Sequence, residues 1–452
     1  MLVKLNKYKV LKIFSFFSVT IYLFFIGSEY FNFLNGAITL NVQTSQNLGK
    51  LNGYFLFFIE EDRYADFAKI IFSFSHIFSL ENLEFLNVPE SWISDVSYTE
   101  VFNSTGANGT MSLPPITIII LTISAYIVKF IGINYTIVYK TVILLIVLFL
   151  LIKLVEKLKG SPNLIFILFS FPFLFLIDRG NIWAAVSGIF LFFLFKSFIS
   201  KNTLSNLDLA YFILASSFRP NYLVFGLLFL YRKDVKDSFI EFFKIGMLYT
   251  FVNSIFFSIA VRIFPDYSFE NFMFMVSKYS EGELRFDTWN SSLHGLIYNL
   301  YSRFIVGADL IYSESDDNFI KQFILGPNLN LVIFIFYLSV LFLAYMKLKN
   351  QGIDGISFLI ILCSFTAITT SPFADYHLII FIFLFFLVYD LQYESKVQSI
   401  NLILLSLILL PKVHLLTPDL NFHNLVNVLS LNLLIIINFK AKRLKSERIS
   451  LL

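Results

Sequence analysis

The sequence is poor in charged residues and contains a single cysteine. Only 14% of its 452 residues are charged, the net charge is +3 and the mean hydropathy is +0.75. A soluble globule of this length needs more polar surface, so the composition excludes one and predicts an all-α polytopic membrane protein. Because Cys363 is the single cysteine, the composition also excludes an intramolecular disulfide framework and a cysteine-based metal site.

The short motifs that mark metal, nucleophile and nucleotide sites are also missing. The chain has no HExxH pair, no GxSxG elbow and no glycine-rich phosphate loop, and we predict neither a metal nor a cofactor. Its basic residues are scattered among loops and do not form a stripe, so nucleic acid is not an expected partner. No internal repeat of fixed period is visible.

Two long polar segments interrupt the apolar runs. The first follows a basic N-terminus and an apolar stretch at residues 13–27, which lacks a small-x-small cleavage site and is predicted to remain as the first helix. We assign residues 28–134 to a first extracytoplasmic loop with surface helices, and residues 265–327 to a second large extracytoplasmic loop. Two prolines open a helix at residues 116–131. Residues 1–452 are predicted to form a single integral membrane domain.

The distribution of basic residues indicates that the helix at 116–131 lies flat on the membrane. Lys and Arg concentrate in short cytoplasmic loops. A spanning helix would force the three lysines of residues 153–159 outside, whereas a flat helix places them inside together with the C-terminal KAKRLKSER. The chain is therefore predicted to cross the cell (inner) membrane about twelve times, with both termini cytoplasmic. The later spans are predicted at 135–155, 163–177, 182–199, 207–231, 239–264, 330–346, 356–369, 376–389, 400–415 and 425–438.

The segment at 207–231 is predicted to be a broken pair of helices. It is interrupted by the sequence FRPN around Arg219, and proline cannot continue a helix without relief of its missing hydrogen bond. One kinked span would invert every later loop and place the basic C-terminus outside. Two short limbs with Arg219 at the outer turn avoid this, and we prefer them.

A charged segment at residues 60–74, EEDRYADFAKIIFSF, is the best candidate for a catalytic group. Apolar residues such as Phe67 and Phe74 recur at helical spacing, while Asp62 and Asp66 fall on the opposite side. The pattern is typical of an amphipathic helix on a membrane surface. Its carboxylates could be an ordinary solvated face or could act on a substrate above the bilayer.

Charged and polar residues near apolar helix ends form the second group of candidates. Asp178, Arg179 and Asn181 follow one predicted helix, Arg219 lies at the break, and His377 opens a later helix. Charges in such places are costly and indicate function. Each also has an ordinary interpretation: Asp178 could pair with Arg179, Arg219 could reach lipid phosphates, and His377 could be a hydrogen-bonded interface residue. All of them fall on the predicted outer side.

The order of motifs resembles that of the GT-C superfamily of integral-membrane glycosyltransferases, most closely the bacterial mannosyltransferase-like enzymes of glycosyltransferase family 87. The resemblance is carried by DRYADF, SLPPITIII, LIDRGNIWAAVSGIFLFF, ASSFRPNYLVF and SPFADYHLIIF, across residues 55–380. The chain departs from the usual pattern in having Leu113 in place of Tyr before the two prolines, and Arg219 in place of Lys. The Gln-x-Asn that typically follows is absent after Asn181.

This resemblance implies an inverting hexosyltransferase that acts on the extracytoplasmic face. Such an enzyme moves a sugar from a polyprenyl-phosphate carrier to a glycan or glycolipid acceptor, without a cofactor, and contacts membrane lipids. A carboxylate must take the proton of the attacking hydroxyl. Asp66 corresponds best to the family's loop aspartate and is expected to be this base, with Asp62 as its rival.

The resemblance also implies roles for the later candidates. Arg219, with His377 and Arg179, is expected to hold the carrier phosphate, which needs a cationic partner when it leaves. Asp178 and Asn181 are expected to order the site.

Two other functions remain open at this point. An O-antigen-type polymerase or ligase also has many spans and large outer loops, but it would use later Arg and His residues without the aspartates of the first loop. A non-enzymatic transporter or flippase of lipid-linked sugars would be expected to place charge at the membrane midplane and to show two related halves, neither of which is visible here.

Overall fold

A computed structural model describes the chain over residues 114–131, 182–200, 203–230, 235–263, 292–301, 327–350, 353–370, 375–389, 396–410 and 422–441, with a few shorter pieces. Nearly all of these residues are helical, and no strand occurs among them. The helices are α1 (Pro115–Ile131), α2 (Ile182–Ser200), α3 (Asn206–Phe218), α4 (Leu227–Leu230), α5 (Val235–Ile263), α6 (Leu293–Tyr301), α7 (Pro327–Lys349), α8 (Gly355–Thr369), α9 (Ile379–Tyr389), α10 (Lys396–Leu409) and α11 (Phe422–Lys440). A first 3₁₀ helix, Pro220–Gly226, precedes α4, and a second, Asp375–Leu378, precedes α9.

Three helices in the described part are long and apolar enough to cross a membrane. They contain the segments Trp183–Ser200, Asp237–Ile263 and Asn328–Lys349. By contrast, α9 has 11 residues, which is about 16 Å of helix and well short of a bilayer core of about 30 Å. The structure thus supports an all-α protein associated with a membrane, and the prediction of about twelve spans stays a prediction.

Most predicted helix boundaries agree with the described helices to within a few residues. The largest shifts are at α10, which begins at Lys396 and ends at Leu409, where the sequence predicted 400–415. In addition, α9 begins at Ile379, so His377 lies in the 3₁₀ turn before it and not in its first turn. α1 begins at Pro115, one residue before the predicted start, and ends at Ile131 as predicted.

The prediction of a broken pair is confirmed. The rings of Phe212 in α3 and Phe229 in α4 lie 5.7 Å apart. In one continuous helix these residues would be about 25 Å apart, since each residue adds about 1.5 Å. Gly226 also lies against Phe212, because a Cβ added to it would meet that ring at 3.3 Å. The chain therefore reverses at Arg219–Pro220 and returns beside α3.

Contacts between helix ends define one end of the bundle, which we call the Arg219 end. The rings of Trp183 and Phe218 are stacked with centroids 5.7 Å apart, so α2 begins where α3 ends. The second 3₁₀ helix, which contains His377, contacts α2 and leads into α9. The start of α2, the reversal after α3 and the entry to α9 therefore meet at this end.

The opposite end is held by hydrogen bonds, and we call it the lysine end. The Lys349 ammonium donates to Ser238 Oγ over 2.9 Å, and Tyr345 donates its hydroxyl to the Leu230 carbonyl over 3.1 Å. Lys347 donates to a main-chain carbonyl in the last turn of α11. These bonds join the ends of α4, α7 and α11 to the start of α5.

The basic side chains of the described residues are distributed unevenly between the two ends. Lys196, Lys347, Lys349, Lys396 and Lys440 lie at the lysine end, whereas Arg219 and Arg262 lie toward the other end. This is the bias that the loop-charge argument predicts, with the lysine end corresponding to the predicted cytoplasmic side. The side of the membrane on which each end lies stays a prediction.

The core lies around α8 and α9, and the outer helices present apolar surface. Every residue of α9 is buried, as is nearly every residue of α8. Large apolar side chains of α5 and α7 are exposed instead, as in Phe239 and Phe336, which are 66% and 61% exposed. An inner layer surrounded by outward-facing apolar helices is the arrangement expected of a protein in lipid.

Close packing of α2 against α9 depends on Gly188. A Cβ added to Gly188 would lie 3.0 Å from the Phe383 ring and 3.3 Å from Ile379. Small residues let helix backbones approach closely in membrane proteins. The approach fixes the start of α9, and with it the turn that carries His377.

Candidate functional site

The position of Arg219 follows from the local sequence on both sides of it. α3 begins with a capping box in which Ser205 Oγ accepts from the Asp208 amide and the Asp208 carboxylate accepts from the Ser205 amide. It ends where Arg219 adopts an extended conformation and donates its amide to the Ala215 carbonyl over 3.0 Å. Pro220 then starts the 3₁₀ helix, because proline suits the first turn.

His377 is brought to the same place by a different part of the chain. It lies in the second 3₁₀ helix, is 7% exposed, and is close enough to Arg219 for the guanidinium charge to act on its imidazole. Burial, and secondly the Arg219 charge, hold the pKa of His377 well below its ordinary value. A neutral imidazole therefore lies within electrostatic range of a guanidinium at the Arg219 end.

Three residues that the sequence did not single out complete this cluster. Tyr222, one turn beyond Arg219, is fully buried and lies within electrostatic range of both Arg219 and Cys363. Its hydroxyl is near that of Ser187 in α2, which donates its own proton to the Ala184 carbonyl. We define the arginine cluster as Arg219, His377, Tyr222, Ser187 and Cys363.

Several polar atoms around the arginine cluster are buried without a hydrogen-bond partner in the described part of the chain. They are Trp183 Nε1, Ser216 Oγ and Ser364 Oγ. Ser364 follows Cys363 in α8, and Trp183 stacks on Phe218 directly before Arg219. Buried polar groups are ordinarily paired, so this end of the bundle has hydrogen-bonding capacity that water or a ligand could use.

Two of the predicted site residues lie in the part of the chain that the structure describes. Arg219 and His377, which are far apart in the sequence, lie within electrostatic range of each other, and their role in a site stays a prediction. Asp62, Asp66, Asp178, Arg179 and Asn181 lie outside the described residues, so their place relative to the cluster stays a prediction. Within the described segments, no three His, Cys, Asp or Glu side chains are grouped as metal ligands would be.

Sequence reasoning missed Tyr222, Ser187 and Cys363 for a physical reason. α8 carries apolar residues all around its axis, so no periodicity indicates which face meets the cluster. The signal that could have found Tyr222 is its position immediately after the break, where a buried hydroxyl follows Arg219 and Pro220.

Comparisons with protein-family models, with curated proteins and with solved structures find no match for this chain.

Proposed function

We propose that this protein is an inverting membrane glycosyltransferase that moves a sugar from a polyprenyl-phosphate carrier to a hydroxyl of a glycan or glycolipid on the extracytoplasmic face. The observation that carries the proposal is that Arg219 and His377 lie within electrostatic range of each other at the end of the bundle opposite to the lysine end. A half-buried cation, supplied by a chain reversal, suits a phosphate group at the membrane surface.

The reaction needs few groups. The acceptor oxygen attacks the anomeric carbon and the bond from that carbon to the carrier phosphate breaks, so the carrier leaves as a phosphate anion and the anomeric centre inverts. Asp66, or Asp62 in its place, takes the proton of the acceptor hydroxyl. The leaving phosphate gains negative charge, and Arg219 stabilises it.

The arginine cluster suits this role for two reasons. Arginine presents a planar set of donors that fits phosphate oxygens, and its charge acts more strongly where water is excluded. His377, being neutral, can donate one N–H to the same phosphate while its other nitrogen accepts. We further propose that Arg179 adds a second cation, and that Asp178 and Asn181 orient it.

The test uses purified protein in liposomes with polyprenyl-phosphate carriers that bear radiolabelled mannose, glucose or galactose. A membrane extract supplies acceptors, and the measured quantity is label transferred from the carrier. We expect transfer from at least one donor by the wild-type protein, and its loss in Arg219→Gln. A second measurement is the binding of polyprenyl phosphate that carries no sugar, and its result does not depend on which sugar the protein transfers. Failure of both transfer and carrier binding would overturn the proposal.

A polymerase or ligase of the O-antigen type is the second candidate, because it too could use an arginine beside a histidine. The aspartates of the first loop separate the two. Under the glycosyltransferase proposal, Asp66→Asn or Asp62→Asn strongly lowers transfer, since the acceptor proton then has no positioned base. Full activity of both variants, together with loss in Arg219→Gln, would favour the polymerase or ligase.

A further inference from the structure

At the lysine end, the described residues include a half-buried cation, Lys349. Its ammonium donates to Ser238 Oγ over 2.9 Å and lies 5.4 Å from the centre of the Tyr345 ring. Among the described residues no carboxylate lies within ion-pair range of it. The nearest acid in the sequence, Asp354, is occupied as the N-cap of α8, where it accepts the Ser357 amide over 2.7 Å.

The bond to Ser238 leaves donors on Lys349 unused. Ser238 donates its own proton to the Leu230 carbonyl over 3.2 Å, so it can only accept from the lysine. An ammonium group has three donors, and one is used here. A half-buried cation that retains two donors has the chemistry to bind an anion, since partial desolvation strengthens such a pair.

An apolar groove begins one helical turn from Ser238. It is a shallow, open surface groove between side chains of α5 alone, and it is lined by Phe242, Phe243, Gly246, Met247, Thr250 and Phe251. Phe242 and Met247 are 58% and 66% exposed. A Cβ added at Gly246 would meet no atom within 4 Å, so the groove is open there.

The sequence around this groove has an excess of basic residues. Residues 231–244 and 345–350 contain six Lys or Arg and three Asp or Glu. This composition favours a negatively charged ligand over a neutral one at the surface of the membrane. The apolar groove requires that the same ligand carry hydrocarbon.

We propose that Lys349 and the groove of α5 form a binding site for one anionic phospholipid. Lys349 holds the headgroup phosphate, and an acyl chain lies along Phe242, Gly246 and Met247. The site is at the opposite end of the bundle from the arginine cluster and does not depend on the proposed transferase reaction.

The test measures thermal unfolding of the full-length protein in detergent micelles with added dioleoylphosphatidylglycerol or dioleoylphosphatidylcholine. A ligand that binds the folded state raises the melting temperature with concentration. We expect phosphatidylglycerol to raise it and phosphatidylcholine to have a much smaller effect. In Lys349→Gln, the apparent dissociation constant for phosphatidylglycerol should rise about tenfold or more. Lys396→Gln, which removes an exposed lysine at the same end, should leave it unchanged.

Further variants keep the outcome decisive if Lys349→Gln does not fold. Lys349→Arg keeps the charge and should bind phosphatidylglycerol. Gly246→Leu fills the groove without reaching the lysine, and should weaken binding while the helix keeps its stability, because Leu is a better helix former than Gly. Glycerol 3-phosphate, which lacks acyl chains, should not stabilise the protein at the same concentrations.

Three results would overturn this inference. Equal stabilisation by phosphatidylcholine would remove the role of charge, and equal stabilisation by glycerol 3-phosphate would remove the role of the groove. Unchanged affinity in both Lys349→Gln and Gly246→Leu would place the lipid elsewhere.

Discussion

At the residue scale, Arg219 carries the proposed function. Replacing it with Gln removes the cation that faces the carrier phosphate, and hydrogen bonds to charged groups are worth about 1.5–3 kcal/mol. We therefore expect carrier turnover by Arg219→Gln to fall about 10- to 100-fold, with a smaller loss in Arg219→Lys. Arg262→Gln is the matched control, because Arg262 is an exposed cation in the last turn of α5. An equal loss in both variants would show a general effect of charge.

The general base is a separate prediction at the same scale. Proton transfer by a positioned carboxylate contributes roughly 10²- to 10⁴-fold. Asp66→Asn should lower transfer by such a factor and leave binding of polyprenyl phosphate unchanged, because this residue faces the acceptor. Near wild-type turnover in Asp66→Asn with loss in Asp62→Asn would exchange the two roles.

The neutral state of His377 predicts how stability depends on pH. Its folded pKa lies well below the unfolded value of about 6.5, so the unfolded chain binds the extra proton first. Stability is therefore retained above about pH 6.5 and decreases as the pH falls below it, by at most about 1.4 kcal/mol per pH unit for this group. Melting curves in detergent at pH 7.5 and 5.5 measure this slope. His377→Gln should flatten it, and an unchanged slope would assign the acid sensitivity to other groups.

At the element scale, substitutions of two glycines distinguish the effect of packing from the effect of helix propensity. Gly188→Ala places a Cβ against Phe383 and Ile379, whereas Gly246→Ala places one in open space. Both changes gain the same helix propensity. Overpacking costs about 1–3 kcal/mol, so the free energy of unfolding of Gly188→Ala should be lower than that of Gly246→Ala by this amount. Its melting temperature should be lower as well. If the two variants have equal melting temperatures, α2 and α9 are not held by this contact.

Elements with strong local signals were predictable from the sequence. The reversal at Arg219–Pro220 follows from the proline and from the loop charges, and the rings of Phe212 and Phe229 confirm it. Partners within the core were not predictable, because α9 consists of eleven apolar residues with no polar side to orient it. Hence the sequence placed Arg219 and His377 on one side of the membrane but could not show that they meet.

A buried pair of asparagine side chains is a second example of a contact between helices that the sequence does not predict. Asn401 in α10 and Asn438 in α11 exchange two side-chain hydrogen bonds, of 3.0 and 2.8 Å. Each asparagine lies in an apolar run, and nothing in the spacing identifies its partner, since pairing depends on how two distant helices pack.

At the scale of the whole molecule, the two ends of the bundle should be accessible from opposite sides of the membrane. The single native cysteine, Cys363, is fully buried, so an introduced cysteine can be labelled over a low background. In intact cells, a membrane-impermeant maleimide should label Arg262→Cys and not Asn350→Cys. Permeabilised cells should label both. Labelling of Asn350→Cys alone in intact cells would invert the predicted orientation.

The hydrogen bond between Asn253 and Ser217 also shows which part of α5 lies beside Arg219. Asn253 donates to Ser217, two residues before Arg219, over 3.0 Å, and from there α5 continues to Ile263, about 15 Å along its own axis. Arg219 therefore lies beside α5 before its end, and not level with Ile263. If a carrier phosphate binds there, it lies next to the last turns of α5. Those turns, and not only the charge of Arg219, then limit how large an acceptor can reach the anomeric carbon.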